Sequence, residues 1–485
     1  MGMNFVSLHS NQSNSNVLSQ LATAVSLHCI ECAAIYPGVD DRPRYRCDCG
    51  GVLDVETVFH HPVQQEPALQ EGFEALTASE SDDKPLAGAH LRQLFDERAS
   101  QSSTWPVSVE TRLPDSSGVW RYRELILSIP EQFIVSRPEG NTSLYPVGRK
   151  NCGNHSAGHL QIGHYAGLDH FFLKHEGENP TGSFKDRGMT VGVTIAKLLG
   201  ARAVACASTG NTSASLASYA AQAGLPCIVF LPAANVAGGK LAQSLAYGAT
   251  TIQIEGDFDD AMRLVEQVCN EFGIYLLNSL NPFRIEGQKA IGFEVLQQLG
   301  WQAPDWLVLP AGNLGNTSAI GKAFRQAYQL GLIARLPRVA AIQATGANPF
   351  YRGFVSNFSH RERVQAQTIA TAIKIGDPVS YTRARQVIEE SNGVVEQVTD
   401  EEILAAKVVI DRSGIGCEPA SAATLAGARK LVESGIFKRD QRVVGILTGN
   451  LLKDSQTGIP QPKHGNAIAA SIEAVKRAIA NEISL

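Results

Sequence analysis

The stretch Asn179-Pro180-Thr181-Gly182-Ser183-Phe184-Lys185-Asp186-Arg187-Gly188 reads as a turn followed by a helix with a lysine in its first residues. The positive end of the helix dipole disfavours an ammonium there and favours the free amine, the form that condenses with an aldehyde. A solvated Lys185 paired with Asp186 is the alternative. A second stretch, Gly312-Asn313-Leu314-Gly315-Asn316, sets two glycines at the start of another expected helix. Its backbone N–H groups can turn toward one point and make a phosphate cradle. It is neither a Walker A loop nor G-x-G-x-x-G, so nucleotide motifs lend it no support, and a plain βα turn competes. At the other end, Cys29-x2-Cys32, a gap of fourteen residues and Cys47-x-Cys49-Gly50-Gly51 crowd four thiols together. That spacing suits a closed tetrahedral zinc site of ribbon type, although Cys-x-Cys is tighter than the usual second Cys-x2-Cys. Reduced, metal-free thiols are the alternative. His28 reads as a bystander.

The elements that must position these groups follow from the apolar runs. Short runs at Ala203–Ala207, Cys227–Leu231, Thr251–Ile254, Tyr275–Leu277, Trp306–Leu309, Val339–Ala344 and Val443–Leu447 end in or near Gly, Pro, Ser, Thr or Asn, as buried parallel strands do. Helices are expected between them at Thr212–Ala223, Asp259–Phe272, Ile285–Leu299, Asn316–Leu330 and Ala420–Ser434. This alternation predicts an α/β fold with two doubly wound parallel-sheet domains, and a small Cys-rich ribbon precedes them. In such sheets ligands bind beyond the carboxyl ends of the strands. The residues there are Ser208-Thr209-Gly210-Asn211-Thr212, Asn278-Ser279-Leu280-Asn281, Pro310 to Asn316 and Thr448-Gly449-Asn450, all small or amide-rich.

The expected organisation is a disordered tail at 1–25, a Cys-rich segment at 26–60 and a polar linking or covering segment at 61–117. Residues 118–175 and 300–455 would form a large α/β domain, 176–299 a small one, and 456–485 a C-terminal extension. In 485 residues, 42 Lys+Arg against 47 Asp+Glu give a net charge of −5, which does not favour nucleic acid as partner. With 44% apolar residues and no run near the ~18 of a membrane span, no membrane association is expected. Residues 1–25 hold no Lys or Arg, so neither a secretory nor a transit signal is read there and a cytoplasmic protein is expected. The five scattered cysteines, Cys152, Cys206, Cys227, Cys269 and Cys417, do not read as a disulfide framework.

An aldehyde cofactor with a phosphate arm, a phenolic oxygen and a ring nitrogen needs a lysine, a phosphate nest and two further partners. Candidates for all four stand here, and the chain resembles the pyridoxal phosphate enzymes of the tryptophan-synthase-β fold type. Within them it is similar to threonine synthase, particularly the plant-type branch. The likeness runs from about Trp120 to Lys453. Its most specific stretches are Trp120-Arg121-Tyr122-Arg123, Asn179–Thr190, Ser208–Ser213, Asn278–Lys289, Pro310–Asn316, Ala347-Asn348-Pro349 and Ile375-Gly376-Asp377-Pro378-Val379-Ser380.

That resemblance implies that Lys185 bonds pyridoxal 5'-phosphate, that Asn211 donates to its phenolic oxygen, and that Gly312, Asn313, Leu314, Gly315 and Asn316 hold its phosphate. Thr448 would face the ring nitrogen. Ser208, Thr209 and Thr212 would receive the substrate carboxylate, and Asn278, Ser279 and Arg284 the substrate phosphate, to which Arg is suited by its forked donors. The implied reaction turns O-phospho-L-homoserine and water into L-threonine and phosphate, in a homodimer. Solvated helix surface is the competing reading for Arg284 and Lys289, a β-turn for Thr448, and capping for the Asn and Ser residues. Competing functions are a threonine or serine dehydratase, a sulfhydrylase, or a cofactor-binding sensor without turnover. The Cys-rich start, with zinc on Cys29, Cys32, Cys47 and Cys49, departs from the plant-type pattern and puts carry-over of S-adenosylmethionine activation in doubt.

Overall fold

The computed structural model describes residues 17, 21, 24–40, 43–57, 84–102, 114–153, 156–208, 210–232, 238–255, 258–454, 457 and 469–483. Most of the expected tail, and residues 456, 458–468, 484 and 485 of the expected C-terminal extension, lie outside these residues. Thirteen strands among the described residues form three sheets. The ribbon is antiparallel, β2(Ile35–Pro37)-β1(Val25–Cys29)-β3(Leu53–Thr57), and β1 and the start of β3 alternate buried and half-buried residues, so one face packs inward. The second sheet has the order β12(Val394–Val398)-β11(Arg338–Ala344)-β10(Trp306–Pro310)-β13(Arg442–Leu447)-β5(His170–His175)-β4(Leu144–Pro146) and is parallel except for β4. The third, β8(Thr250–Ile254)-β7(Cys227–Pro232)-β6(Ala203–Ala207)-β9(Ile274–Leu276), is wholly parallel.

Every residue of β6 and β10 is buried, because helices cover both faces of each parallel sheet. The helices that matter for the site are α1 (Lys185–Leu198), α2 (Asn211–Ala223), α3 (Phe283–Gln288), α4 (Gly315–Gln329), α5 (Tyr381–Glu390) and α6 (Pro419–Glu433). All seven expected strands occur, displaced by a residue at most at either end. The expected helix Ile285–Leu299 is instead two, α3 and Ala290–Gln298, jointed at Lys289, whose side chain is buried.

The expected 61–117 cover contains a helix at Lys84–Ser102, which sets Leu91 and Phe95 into the core, Phe95 edge-on to Tyr122. Arg98 closes it down with paired bonds to Glu124 of 2.7 and 2.8 Å. The ribbon is part of the same body, since Val25, Leu27, Leu53 and Val55 share one apolar cluster with Val191, Phe293 and Ile320. Among the described residues no helix is long and apolar enough to cross a membrane.

Candidate active site

The turn before α1 is built by hydrogen bonds that leave Lys185 to itself. Gly182, at φ +84°, donates to Asn179 O, and the Asp186 carboxylate accepts from Thr181 N at 2.7 Å, Thr181 Oγ1 at 2.6 Å and Ser215 Oγ at 2.5 Å. Asp186 therefore faces the turn and α2, so the surface pairing with Lys185 does not occur. Burial raises the Asp186 carboxyl to about 6 despite those donors. Lys185 Nζ lies 4.0 Å from the Phe184 ring centroid. Burial first, then the neighbouring Arg284 charge, bring its amine down to about 7, with Glu418 pulling the other way. The dipole argument has the right direction, but removal from water is the main cause.

Two positions further on, Arg187 anchors α1 between the sheets. It bonds Glu176 at 2.6 Å and Glu294 at 3.0 Å, and Lys174 of β5 meets Glu294 at 2.5 Å. All four side chains are buried, and Arg187 and Lys174 hold Glu294 well below the usual carboxylate range.

Beside Lys185, the chain from β13 runs antiparallel to the turn: Phe184 N donates to Thr448 O at 3.0 Å and Asn450 N to Gly182 O at 2.9 Å. Thr448 Oγ1 donates to Glu418 Oε1 and lies equally close, 3.0 Å, to Ser421 Oγ. Asn211 Nδ2, at the start of α2, donates to Glu418 Oε2 at 2.9 Å. A single buried carboxylate thus joins the two groups expected to meet the cofactor's phenolic oxygen and ring nitrogen, and burial raises its pKa. The sequence reading missed Glu418. Gly449 makes room for it, since a Cβ there would sit 2.5 Å from the Glu418 carboxyl carbon.

At the carboxyl end of β10, Leu314 takes the left-handed conformation, φ +63°, which turns the loop into α4. Asn313 is the clasp: its Oδ1 accepts from Val379 N at 2.9 Å, its Nδ2 donates to Ser279 Oγ at 3.1 Å, and its carbonyl accepts from Ser380 N. Gly312 is needed for close approach, as a Cβ would lie 2.9 Å from Ile373 Cα. Both side-chain polar atoms of Asn316, Thr317 Oγ1 and Ser183 Oγ are buried without a partner among the described residues. Orphaned polar groups at a helix N-terminus are what an absent phosphate would satisfy, so these residues fit a phosphorylated cofactor.

The groups expected to meet substrate divide. Asn278 is committed to the backbone, its Oδ1 accepting from Ala207 N at 2.8 Å and its Nδ2 donating to Ala207 O at 3.2 Å, which ties the ends of β6 and β9. Ser208 Oγ accepts from Gly210 N at 3.3 Å, Thr212 is half-buried, and Thr209 lies outside the described residues. Arg284 is not solvated surface. Only 2% exposed, it gives Nη1 to Leu277 O at 3.2 Å, leaves Nε without a partner among the described residues, and is brought down to about 10 by burial.

In the ribbon the four cysteine Sγ atoms lie within 4.8 Å of one another, with Cys29–Cys49 at 3.5 Å and Cys32–Cys47 at 3.4 Å. A tetrahedron with Zn–S bonds of about 2.3 Å has edges of about 3.8 Å, so the thiols fit zinc with little movement. Gly51 is required, because a Cβ there would come 2.9 Å from Cys29 Sγ. His28 bonds Ser26 and stands apart.

Residues 137–449 match the model of the pyridoxal-phosphate dependent enzyme family, the class that this fold and site define. The processed form of threonine deaminase isoform 2 from Solanum lycopersicum is similar in structure, with TM-score 0.56 over 68% of this chain and 89% of that one at 20% identity, which shows the fold. A threonine synthase of Methanosarcina acetivorans is 48% identical over 78% of this chain and 90% of its own. Another, from Methanocaldococcus jannaschii, is 42% identical over 93% of this chain and 98% of its own. The chain belongs to the threonine synthases of the pyridoxal-phosphate dependent family.

Proposed function

We propose that the chain converts O-phospho-L-homoserine and water to L-threonine and phosphate, with Lys185 moving the protons and Arg284 holding the phosphate. The observation that carries the assignment of roles is the pairing of a neutral-prone amine, Lys185, with a buried, incompletely bonded guanidinium, Arg284, in one site. A phosphorylated substrate supplies the anion that Arg284 lacks; a threonine or serine dehydratase would have no need of it. Phosphate release from O-phosphohomoserine, measured beside threonine and serine as dehydratase substrates, tests this. Turnover of the latter two at a higher kcat/KM would refute it.

The cofactor, when bound, supplies an electron sink for carbanions at the substrate's Cα and Cβ. Lys185 would hold it covalently, the 312–316 backbone with Asn316 and Thr317 its phosphate, Asn211 its phenolic oxygen and Thr448 its ring nitrogen. Glu418 orients the last two. Lys185 Nζ takes the proton first from Cα and, once it has passed that proton on, from Cβ; phosphate leaves from Cγ, which takes up one proton to become the methyl group, water gives its hydroxyl to Cβ, and a proton returns to Cα. An amine with a pKa of about 7 is matched to both taking and returning protons near neutrality. Ser208, Thr209 and Thr212 receive the substrate carboxylate. Ser279, held by Asn313, and Arg284 meet the phosphate, and Asn278 braces them from the strand ends.

A Thr448 hydroxyl does not keep the ring nitrogen permanently protonated, which makes the sink gentler and suits repeated, reversible proton transfer. Placement in the plant-type branch rests on the stretches from Trp120 to Ser380 quoted above. A division into residues 118–175 with 300–455 and 176–299 follows the two parallel sheets, and one structural zinc belongs to the four cysteines. A homodimer in the cytoplasm completes the proposal, and sedimentation of the holoenzyme tests the dimer.

A further inference from the structure

The ribbon does more than cover the core, because it inserts a carboxylate into a buried group of charges behind the site. Asp54 of β3 lies 3.2 Å from Lys322 Nζ of α4 and 4.0 Å from Arg383 Nε of α5. Lys322 also donates to Val55 O and, at 2.7 Å, to Glu286 Oε1 of α3, while Arg383 donates to Leu53 O. Glu286 in turn pairs with Lys289. Glu286 and Lys289 are fully buried, and Lys322 and Arg383 nearly so.

Three cations, Lys289, Lys322 and Arg383, thus have two carboxylates within ion-pair distance, Glu286 and Asp54. Without Asp54, Glu286 would be the one buried carboxylate left to face all three, with only the exposed Glu56 and Glu31 acting on Lys322 and Arg383 from the ribbon, an arrangement that relaxes by moving side chains and helices. Each helix involved carries part of the site. Glu286 is two residues from Arg284 on the six-residue α3; Lys322 is on α4, which opens at the phosphate loop; Arg383 follows Ser380, whose N–H donates to Asn313 O. A second tie points to the same place: Tyr45 Oη accepts from Leu276 N at 2.8 Å, at the end of β9 just before Asn278 and Ser279.

We propose that Asp54 is a positioning residue: carried by the ribbon, it sets the register of α3 against α4 and so aims Arg284 at the phosphate of the substrate. This rests on the reading of Arg284 as the phosphate clamp. The test uses holoenzyme, with inorganic phosphate as a competitive probe alongside O-phosphohomoserine. Asp54→Asn should raise KM and the phosphate inhibition constant together, by about fivefold to tenfold, the size seen when a coupling residue away from the ligand is changed. Its kcat and cofactor absorbance should stay within about twofold, and Asp54→Glu should recover most of the loss.

A merely structural Asp54 would lower the thermal midpoint and leave KM and phosphate inhibition where they were, which would overturn the proposal. So would an Asp54→Asn effect of equal size in wild type and in Arg284→Ala, since positioning through Arg284 must vanish once Arg284 is gone. Arg284→Ala that leaves phosphate inhibition unchanged refutes instead the clamp reading beneath it. Should Asp54→Asn fail to fold, the neutralised pair Asp54→Asn with Lys322→Gln takes its place: a joint rise in KM and the phosphate inhibition constant supports the proposal, and unchanged values overturn it.

Discussion

Replacing Arg284 by methionine separates what the residue costs the fold from what it contributes to binding. Among the described residues its guanidinium has one hydrogen bond, to Leu277 O, and Nε has none. The fall from the ordinary arginine value to about 10 corresponds to about 3 kcal/mol of disfavour for the charged form at neutral pH. Methionine keeps most of the volume and removes that burden, while the lost bond to Leu277 O takes back about 1 kcal/mol. The cofactor-free variant should therefore be more stable than wild type by about 2 kcal/mol, read as a later urea midpoint with unchanged slope. The loaded enzyme should lose about 1.5–3 kcal/mol of phosphate binding, or about 10–150-fold in kcat/KM for O-phosphohomoserine. Inorganic phosphate at about a hundred times its Kd should stabilise loaded wild type by about 2.7 kcal/mol and the variant hardly at all. A variant that is both less stable empty and still stabilised by phosphate would show Arg284 to be an ordinary structural cation, and the argument from its isolation would fail.

Lys185→Ala should keep the fold and lose turnover by several orders of magnitude, and borohydride reduction of cofactor-loaded wild type should label Lys185; an adduct on another lysine refutes the site. Uptake of the aldehyde by the empty enzyme needs the neutral amine, so its rate should fall as pH drops through about 7; at pH 7.5 about three-quarters of Lys185 is neutral, against about one part in a thousand for an ordinary lysine. A midpoint near 10 in a stopped-flow absorbance series would contradict the burial argument. Glu418→Gln, which cannot accept from both Asn211 and Thr448 through equivalent oxygens, should shift the cofactor absorbance and lower kcat by about tenfold with KM within about twofold; unchanged spectra would make Glu418 a bystander. Metal analysis should find about one zinc per chain, and stripping it should lower stability while kcat persists in protein that stays folded; absence of zinc in protein prepared without chelator refutes the site.

What could be read from the chain and what could not divides along the distance between partners. The strands Ala203–Ala207 and Trp306–Pro310 announce themselves because burial on both faces demands an unbroken apolar run, and the residues just after them are small because a ligand must approach. Strand β5, His-Phe-Phe-Leu-Lys-His, has a run of only three apolar residues, closed by a lysine. Its Lys174 is buried because Glu294 and Gln298, 120 and 124 positions away, and Thr142 O take its protons, and nothing local tells a buried lysine from a surface one. Likewise Arg284, placed by resemblance, could not be seen to be dry, since its burial depends on α1 and α3 packing face to face. Glu418 is the clearest case. Standing before Pro419 at the start of a helix, it reads as an acid favoured by the dipole, and its partner Asn211 lies 207 residues upstream. The groups that escape a linear reading are thus charges whose burial is tolerated only through remote partners. In this site they also set the behaviour of the groups that could be read: Glu418 joins Asn211 to Thr448, and Arg284 helps to bring the Lys185 amine down to neutrality.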